Sequence, residues 1–172
     1  GTRSVEQVLE SITREALLLL DCSMSAFFLY ESDTDKLKLH SLQDKSGSLS
    51  NQETLRPAES LLGTSLRGHR QVQTRDLFRT EEHHFTNLIR EKNLHSMLVT
   101  PVVYEEEPIG LITLYVDRSH RFNDDERLIA KALADLGAIA IQNARLYDRV
   151  FSSEEILRKS ERLTTLGTLA AE

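Results

Sequence analysis

The stretch SMLVTPVVYEEEPIGLITLYVD, residues 96–117, decides the fold class of this chain. It holds two apolar runs, 96–104 and 109–117, separated by three glutamates and Pro108. Short apolar runs rich in β-branched residues and joined by a few polar ones are typical of paired antiparallel strands. Pro101 has no N–H to donate, so its strand is predicted to lie at an edge, to be bulged or to end nearby.

Outside this hairpin, apolar residues spaced three and four apart predict a first helix over residues 5–20. A second predicted hairpin pairs residues 24–31 with 36–42 across the turn-forming sequence SDTD. From Asn123, a predicted N-cap with Glu126 as its partner three residues on, a helical pattern runs to the end of the chain. The middle of the chain is predicted to hold a polar loop (43–53), a helix (58–68), a strand (71–74) and a second helix (85–92).

This order of elements predicts an α+β fold. An antiparallel sheet carries the two terminal helices on one face, and the middle segment is left to cover the other face. Residues 1–149 are predicted to form the domain, and residues 150–172 a coiled-coil helix that continues from it.

Composition and charge narrow the class of protein. The net charge of −6 argues against nucleic-acid binding, because nucleic-acid binders concentrate Lys and Arg. The single cysteine, Cys22, excludes an internal disulfide and favours a reducing, cytoplasmic setting, with any membrane anchor outside this segment. No nucleophile–base set, phosphate-binding loop or H-E-x-x-H motif occurs, so no catalytic residue and no metal site are predicted.

Four segments together resemble the C-terminal half of GAF domains: LVTPVV (98–103), IGLITLY (109–115), FNDDE (122–126) and AIAIQNARLY (138–147). Residues 63–76 are similar to the family's helix, glycine turn and strand ending in aspartate. The resemblance implies a module for small-molecule binding or dimerisation rather than an enzyme. The glutamates at 105–107 stand where a hairpin glycine is common, so that turn is expected to be longer or differently wound.

The segment SERLTTLGTLAA, residues 160–171, resembles the start of the dimerisation and phosphotransfer helix of histidine kinases. In that family the phosphoaccepting histidine follows within a few residues, and no histidine here occupies that place. The resemblance implies the sensory part of a bacterial two-component sensor histidine kinase. A response regulator is then expected to meet the protein only through the kinase core, and this segment alone is expected to have no kinase activity.

A ligand pocket, if present, is predicted on the sheet face away from the terminal helices. In the strand over 109–117, alternate positions mix apolar and hydroxyl groups, so Thr113 and Tyr115 are candidate hydrogen-bonding groups. Asp76 is a further candidate acceptor, although a turn-forming role is favoured for it. The alternative is that these residues only fill the core. The remaining predicted lining residues are Ser25, Phe27, Leu61, Leu62, Phe85, Leu88 and Leu111.

The sequence does not identify the ligand. Members that bind cyclic nucleotides resemble N-K-x(n)-F-x3-D-E, and the DR at 117–118 and the two-residue gap after Phe122 disfavour that ligand. A covalent bilin is not expected, because Cys22 precedes the first strand. Haem or redox sensing remains open, since histidines are available, although solvated loop histidines are favoured and no cation is evident near Cys22 to activate it. The histidines weighed are His69, His83, His84 and His95.

Apolar residues of the last helix form a heptad seam that continues past the predicted domain. No other part of the chain remains to cover the seam there, so a parallel homodimer is predicted through residues 138–157. Polar Asn143 would favour one register. Leu157 and Leu163 are six residues apart rather than seven, a phase slip that would make the coil switchable. The predicted interface residues are Ile139, Asn143, Leu146, Val150 and Leu157. A ligand-free dimerisation module is the rival interpretation.

Overall fold

The structure, a computed structural model, describes residues 2–57 and 60–171, and the side chains of residues 5–57 and 60–164. Its elements follow the order that the sequence predicts, with two short strands and a 3-10 turn in addition. In chain order they are α1 (Thr2–Leu19), β1 (Met24–Glu31), β2 (Lys36–Asp44), β3 (Gly47–Ser48), β4 (Thr54–Leu55), α2 (Leu61–Gly68), β5 (Val72–Thr74), the 3-10 turn (Leu77–Arg79), α3 (Thr86–Glu91), β6 (Ser96–Tyr104), β7 (Glu107–Val116) and α4 (Asp124–Ala171).

The strands form one antiparallel sheet in the order β3-β2-β1-β7-β6-β5, with β4 pairing with β2 beside β3. Both predicted hairpins, β1–β2 and β6–β7, are confirmed. The polar loop predicted over residues 43–53 is partly wrong. Strand β2 extends to Asp44, and the short β3 and β4 add backbone pairs to its outer edge.

Each face of the sheet has its own apolar core. The terminal helices α1 and α4 cover one face, where Leu9 and Ala134 pack with sheet residues such as Ile112. Helices α2 and α3 cover the other face, where Leu66 packs with Phe28. The predicted α+β architecture, with both terminal helices on one face, is therefore confirmed.

Polar groups hold α1 in place on its face of the sheet. The Ser25 hydroxyl donates to the Thr13 carbonyl at 2.6 Å, and Thr13 Oγ1 lies 2.8 Å from Ser41 Oγ. The Gln43 amide donates to the Glu10 carbonyl at 2.7 Å. These side chains are buried, so each polar group needs a partner, and helix α1 provides partners to strands β1 and β2.

Pro101 lies at a position in β6 that does not require the backbone N–H that proline lacks. Strand β5 pairs with β6 only as far as Val99, so no strand among the described residues pairs with Pro101 on that side. The register of β6 against β7 also shifts between Val102 and Val103, a bulge next to the proline. The predicted edge or bulged position is confirmed.

The β6–β7 turn is shorter than the sequence suggests. Tyr104 pairs directly with Glu107, so the turn has two residues, Glu105 and Glu106. Both have positive φ, 48° and 65°, which is the arrangement of a type I′ hairpin turn. Because glycine is missing there, the turn was expected to be longer or differently wound, and it is not longer. The glutamates instead take the left-handed region themselves, at a local conformational cost.

Helix α4 begins at the predicted capping box. The Asn123 side chain accepts from the Glu126 N–H at 2.9 Å, and Glu126 accepts from the Asn123 N–H at 2.9 Å. Ile141 is its last side chain in the core, yet the helix continues without a break past the predicted boundary at 149/150. Within the described chain, neither α4 nor any other helix is long and apolar enough to span a bilayer.

Candidate functional site

The sheet face away from the terminal helices brings most of the predicted pocket residues together. Leu111 and Tyr115 of β7 lie on this face, and Thr113, between them, shares their side of the strand. The middle helices and the turn before α3 pack over them with the predicted residues Leu61, Leu62, Phe85 and Leu88. The prediction that Leu111, Thr113 and Tyr115 lie on the sheet face away from the terminal helices is confirmed.

The face predicted for Ser25 and Phe27 is wrong. In the β1–β7 ladder Phe27 lies opposite Ile112, and directly paired residues point to the same side of a sheet. The Phe27 ring therefore packs under the terminal helices, and the Ser25 hydroxyl bonds to α1. Strand β1 carries apolar residues on both faces, so its sequence pattern does not show which residues face the terminal helices.

Four rings fill the centre of this face. Phe85 stacks on Phe28 with 5.6 Å between ring centroids, and meets His84 edge-on at 5.4 Å and Tyr115 edge-on at 6.2 Å. Phe85 has φ of 50°, unusual for a bulky residue. Its N–H lies 3.3 Å from both carboxylate oxygens of Glu53, which hold this strained residue in place.

A buried chain of polar groups runs along the edge of these rings. Tyr115 Oη lies 2.6 Å from His84 Nε2, and His84 Nδ1 lies 3.6 Å from Glu82 Oε2. The His84 and Glu82 side chains are 2% and 4% exposed. A proton on Nδ1 suits the carboxylate beside it and leaves Nε2 to accept from the phenol.

The pKa values of the two end groups follow from this setting. Burial raises the pKa of Tyr115 far above its ordinary range, so the phenol keeps its proton. Burial by itself would also raise the pKa of Glu82. The His84 ring and the Leu61 N–H outweigh burial and hold the Glu82 pKa below its ordinary value, so this carboxylate is charged at neutral pH.

A cavity of about 410 Å³ opens beside Glu82 and His84. Its volume lies within the range of about 300–1,000 Å³ that is common for small-molecule sites. Of the predicted lining residues, Leu62 borders this cavity, whereas Phe85 and Tyr115 stand behind it in the aromatic core. The full lining is Thr54, Leu55, Arg56, Pro57, Ser60, Leu62, Glu81, Glu82, His83 and His84.

The sequence analysis missed His84 and Glu82. His84 was expected to be a solvated loop histidine or a haem ligand, but it is buried against Tyr115. The other histidines have separate surroundings: His69 ends α2, His83 is exposed and His95 meets the Phe78 ring edge-on. No group of three or more His, Cys, Asp or Glu within the described residues is placed to hold a metal ion.

Asp76 has the turn-forming role that the sequence favours. Its carboxylate accepts from the Phe78 N–H at 3.1 Å and caps the 3-10 turn. It also forms an ion pair with Arg79 at 3.2 Å. Both carboxylate oxygens thus have local partners.

Cys22 lies in the other core, beneath the terminal helices. Burial, followed by the charges of Glu126 and Asp21, raises the pKa of Cys22 to about 12. The thiol is therefore protonated at neutral pH, and a protonated buried thiol is a poor nucleophile. This position gives no support to sensing through Cys22.

Tyr115→Phe and Thr113→Val are expected to differ in their effects on stability. The first change removes the partner of buried His84 and should lower the free energy of unfolding by about 1–3 kcal/mol. The Thr113 hydroxyl is buried and has no hydrogen-bond partner among the described residues, so Thr113→Val should leave stability unchanged or raise it. Urea unfolding of both variants measures this. Equal losses would contradict the assignment of the two hydroxyls.

The terminal helices carry a second candidate site, an open apolar groove of about 890 Å³ between α1 and α4. Val8 on α1 and Leu136, Ile139 and Tyr147 on α4 line it and are all more than one-third exposed. Asn143, predicted at the dimer seam, also lies in this groove. The groove therefore continues the seam of α4 back onto the domain.

A family model described as GAF domain matches residues 2–142. No curated protein gives a match to the chain. Three solved structures are similar in fold. The GAF domain of a phosphoenolpyruvate-protein phosphotransferase from Coxiella burnetii has a TM-score of 0.72 and 19% identity, with 85% of this chain and 87% of that chain covered.

The second is the blue-light absorbing form of the PixJ GAF domain from Thermosynechococcus elongatus, with a TM-score of 0.67 and 15% identity over 88% of this chain and 93% of that one. The third is a domain described as part of a two-component sensor histidine kinase of Sinorhizobium meliloti 1021, with a TM-score of 0.62 and 20% identity over 84% and 95%. At such identities these likenesses show the fold alone. The family model, which matches most of the chain, makes it a member of the GAF domain family.

Proposed function

We propose that this GAF domain is the sensory module of a cytoplasmic two-component sensor histidine kinase. It binds a small molecule and passes the signal through a dimeric coiled coil. The observation that carries the proposal is α4, a single helix that begins against the sheet and continues for 30 residues after its last core residue, Ile141. The kinase-like segment 160–171 belongs to this helix, although the side chains of residues 165–172 lie outside the described ones.

The outer part of α4 has an apolar stripe that no described residue of its own chain covers. Ile139, Leu146, Val150 and Leu157 are between 53% and 62% exposed. With Asn143 and Ser153 they recur at alternating spacings of three and four residues, the a and d positions of a heptad. A second copy of α4, packed in parallel, would bury this stripe.

The groove between α1 and α4 supports the same arrangement. It lies on the face of the terminal helices that points away from the sheet, and its apolar residues continue the stripe at Leu136 and Ile139. A dimer formed through α4 would therefore extend onto the domain. A change in how the sheet packs on these helices would then directly alter the contacts in the dimer interface.

A ligand shifts this dimer only if it binds one of two helix arrangements more tightly. The cavity beside Glu82 and the tight aromatic core behind it link ligand binding to β7. That strand packs against α4 through its opposite face. The segment itself is proposed to be non-catalytic, and the response regulator is reached only through the kinase core.

Phase-changing insertions in α4 test this proposal against a ligand-free module that only tethers kinase domains. Residues 1–172 would be fused to a histidine kinase core that lacks its own sensor, with insertions after Arg158. Two inserted residues rotate the downstream helix by about 200°, whereas seven restore its orientation to within about 20°.

We expect autophosphorylation to change by about tenfold or more with two residues and to be retained with seven. A passive tether would tolerate both insertions equally, and that result would reject the signalling role. A haem or redox sensor, the other alternative, would give a visible absorbance band in protein purified without added cofactor.

A further inference from the structure

We propose that Gln73 is a positioning residue for signal transfer, because its amide makes the start of α4 follow strand β5, and β5 follows helix α2. This inference rests on the proposed sensing at the cavity and output through α4. It adds a route between them through β5, beside the one through β7. Helix α2 begins at the cavity, where Ser60 and Leu62 form part of the wall.

Strand β5 lies between the two layers that the signal must cross. Val72 packs against the core beneath α2 and α3. Gln73 lies opposite Leu98, which belongs to the core beneath the terminal helices. Directly paired residues point to the same side of a sheet, so Gln73 faces the side of α4. Two neighbouring residues of one short strand thus reach both layers.

Helix α2 and strand β5 are joined as one unit. His69, with φ of 50°, ends the helix, and only residues 69–71 separate the helix from β5. The buried Ser65 hydroxyl donates to the Arg70 carbonyl at 2.8 Å, and the Arg70 N–H donates to the Ser65 carbonyl at 3.3 Å. A shift of α2 therefore carries β5 with it. Strand β5 can follow, because it has three residues and pairs with β6 alone among the described strands.

Gln73 binds the connection to α4 through both groups of its amide. Its Oε1 accepts from the Phe122 N–H at 2.8 Å, and its Nε2 donates to the Phe122 carbonyl at 3.3 Å. Gln71, two residues before it, donates to the Arg127 carbonyl near the start of α4 at 2.8 Å. Hydrogen bonds weaken steeply when they are bent, whereas apolar packing has no preferred direction. The amides therefore fix the position of α4 relative to β5 in a way that the apolar core does not.

Ser96, on β6, gives the same connection a second tie. Its buried hydroxyl lies 2.7 Å from the Arg118 carbonyl and 3.2 Å from the Arg75 carbonyl. Arg75 directly follows β5, so both ends of the connection are held next to this strand. Loss of the Gln73 amide is therefore expected to weaken the transfer rather than to abolish it.

Amide chemical shifts, measured by NMR on residues 1–172, test the proposal without ligand or kinase core. Leu62→Ala disturbs the start of α2, and the shifts of residues 122–127 report whether the disturbance reaches α4. We expect clear shift changes there when Leu62→Ala is made in the wild-type chain. Gln73→Met, which keeps the length of the side chain but removes both hydrogen-bonding groups, should reduce these changes at least about twofold.

Gln43→Met is the matched control. Gln43 is also buried, and its amide also bonds to a terminal helix, at the Glu10 carbonyl of α1, but it lies outside the proposed route. This substitution should leave the shift changes at residues 122–127 intact. A general loosening of the domain would reduce them in both glutamine variants.

The proposal is overturned if Leu62→Ala leaves residues 122–127 unchanged or if Gln73→Met makes no difference. An equal loss in Gln43→Met would also overturn it. Thermal unfolding shows which variants are folded. Leu62→Val replaces an unfolded Leu62→Ala, and Gln71→Met, which removes the neighbouring bond to α4, replaces an unfolded Gln73→Met. The insertion experiment in α4 measures kinase output instead, so a wrong route and a wrong signalling role give separate failures.

Discussion

Gly110→Ala is expected to destabilise the domain by about 3 kcal/mol, which corresponds to a fall in Tm of about 10 °C for a chain of this size. A Cβ atom built at Gly110 would lie 2.5 Å from the Phe28 carbonyl oxygen in the neighbouring strand and 3.4 Å from the Phe27 ring. The nearer atom belongs to the backbone of β1, which pairs with β7 at this position and cannot move away without breaking the ladder. The alanine therefore forces the two central strands apart.

Gly68→Ala is the matched control for this substitution. A Cβ atom at Gly68 would meet only the flexible side chain of Arg70, at 3.2 Å. Its effect on the free energy of unfolding should stay below about 1 kcal/mol, because the neighbour can move and alanine favours the helix. Thermal and urea unfolding compare the two variants. A Gly110→Ala chain as stable as wild type would contradict the strand spacing described here.

Val150→Glu is expected to weaken the dimer by at least about a hundredfold, since a dimer seam would bury two unpaired carboxylates. Phe151→Glu, one residue further along, is the control. The two side chains are 57% and 66% exposed in the single chain, so nothing in the monomer separates them. Only Val150 falls on the heptad stripe.

Sedimentation equilibrium of the two variants and the wild-type chain measures the effect. The wild type and Phe151→Glu should be dimers at micromolar concentration, and Val150→Glu should be a monomer with an unchanged helix content. Equal weakening by both substitutions would mean that the chains associate through a different surface. A monomeric wild-type chain would reject the proposed interface altogether.

The fold was predictable from the sequence because its signals are local. The hairpin 96–117, the N-cap at Asn123 and the heptad stripe each need only a short window of residues. The face of β7 was also predictable, because Gly110 and Ile112 lie on one side and the hydroxyl-bearing residues on the other. In β1 both faces are buried and apolar, so the side on which Phe27 lies depends on its register with Ile112, which only the paired structure shows.

The candidate site was predictable only in part, because its centre is assembled from distant segments. His84 lies 31 residues before Tyr115, and Glu82 reaches back to the N–H of Leu61 at the start of α2. No spacing rule joins these residues. The HH sequence at 83–84 gives no indication that one ring is exposed and the other is buried.

The unbroken length of α4 makes it a mechanical lever as well as a connector. From Ile141 to Ala171 the helix spans about 45 Å at 1.5 Å per residue. A tilt of about 5° where the helix rests on the sheet would move its far end by about 4 Å, which approaches one helical turn. A tilt too small to disturb the packing of the domain would thus move the far end of the helix by several ångströms. That displacement is large enough to change which residues are in contact there.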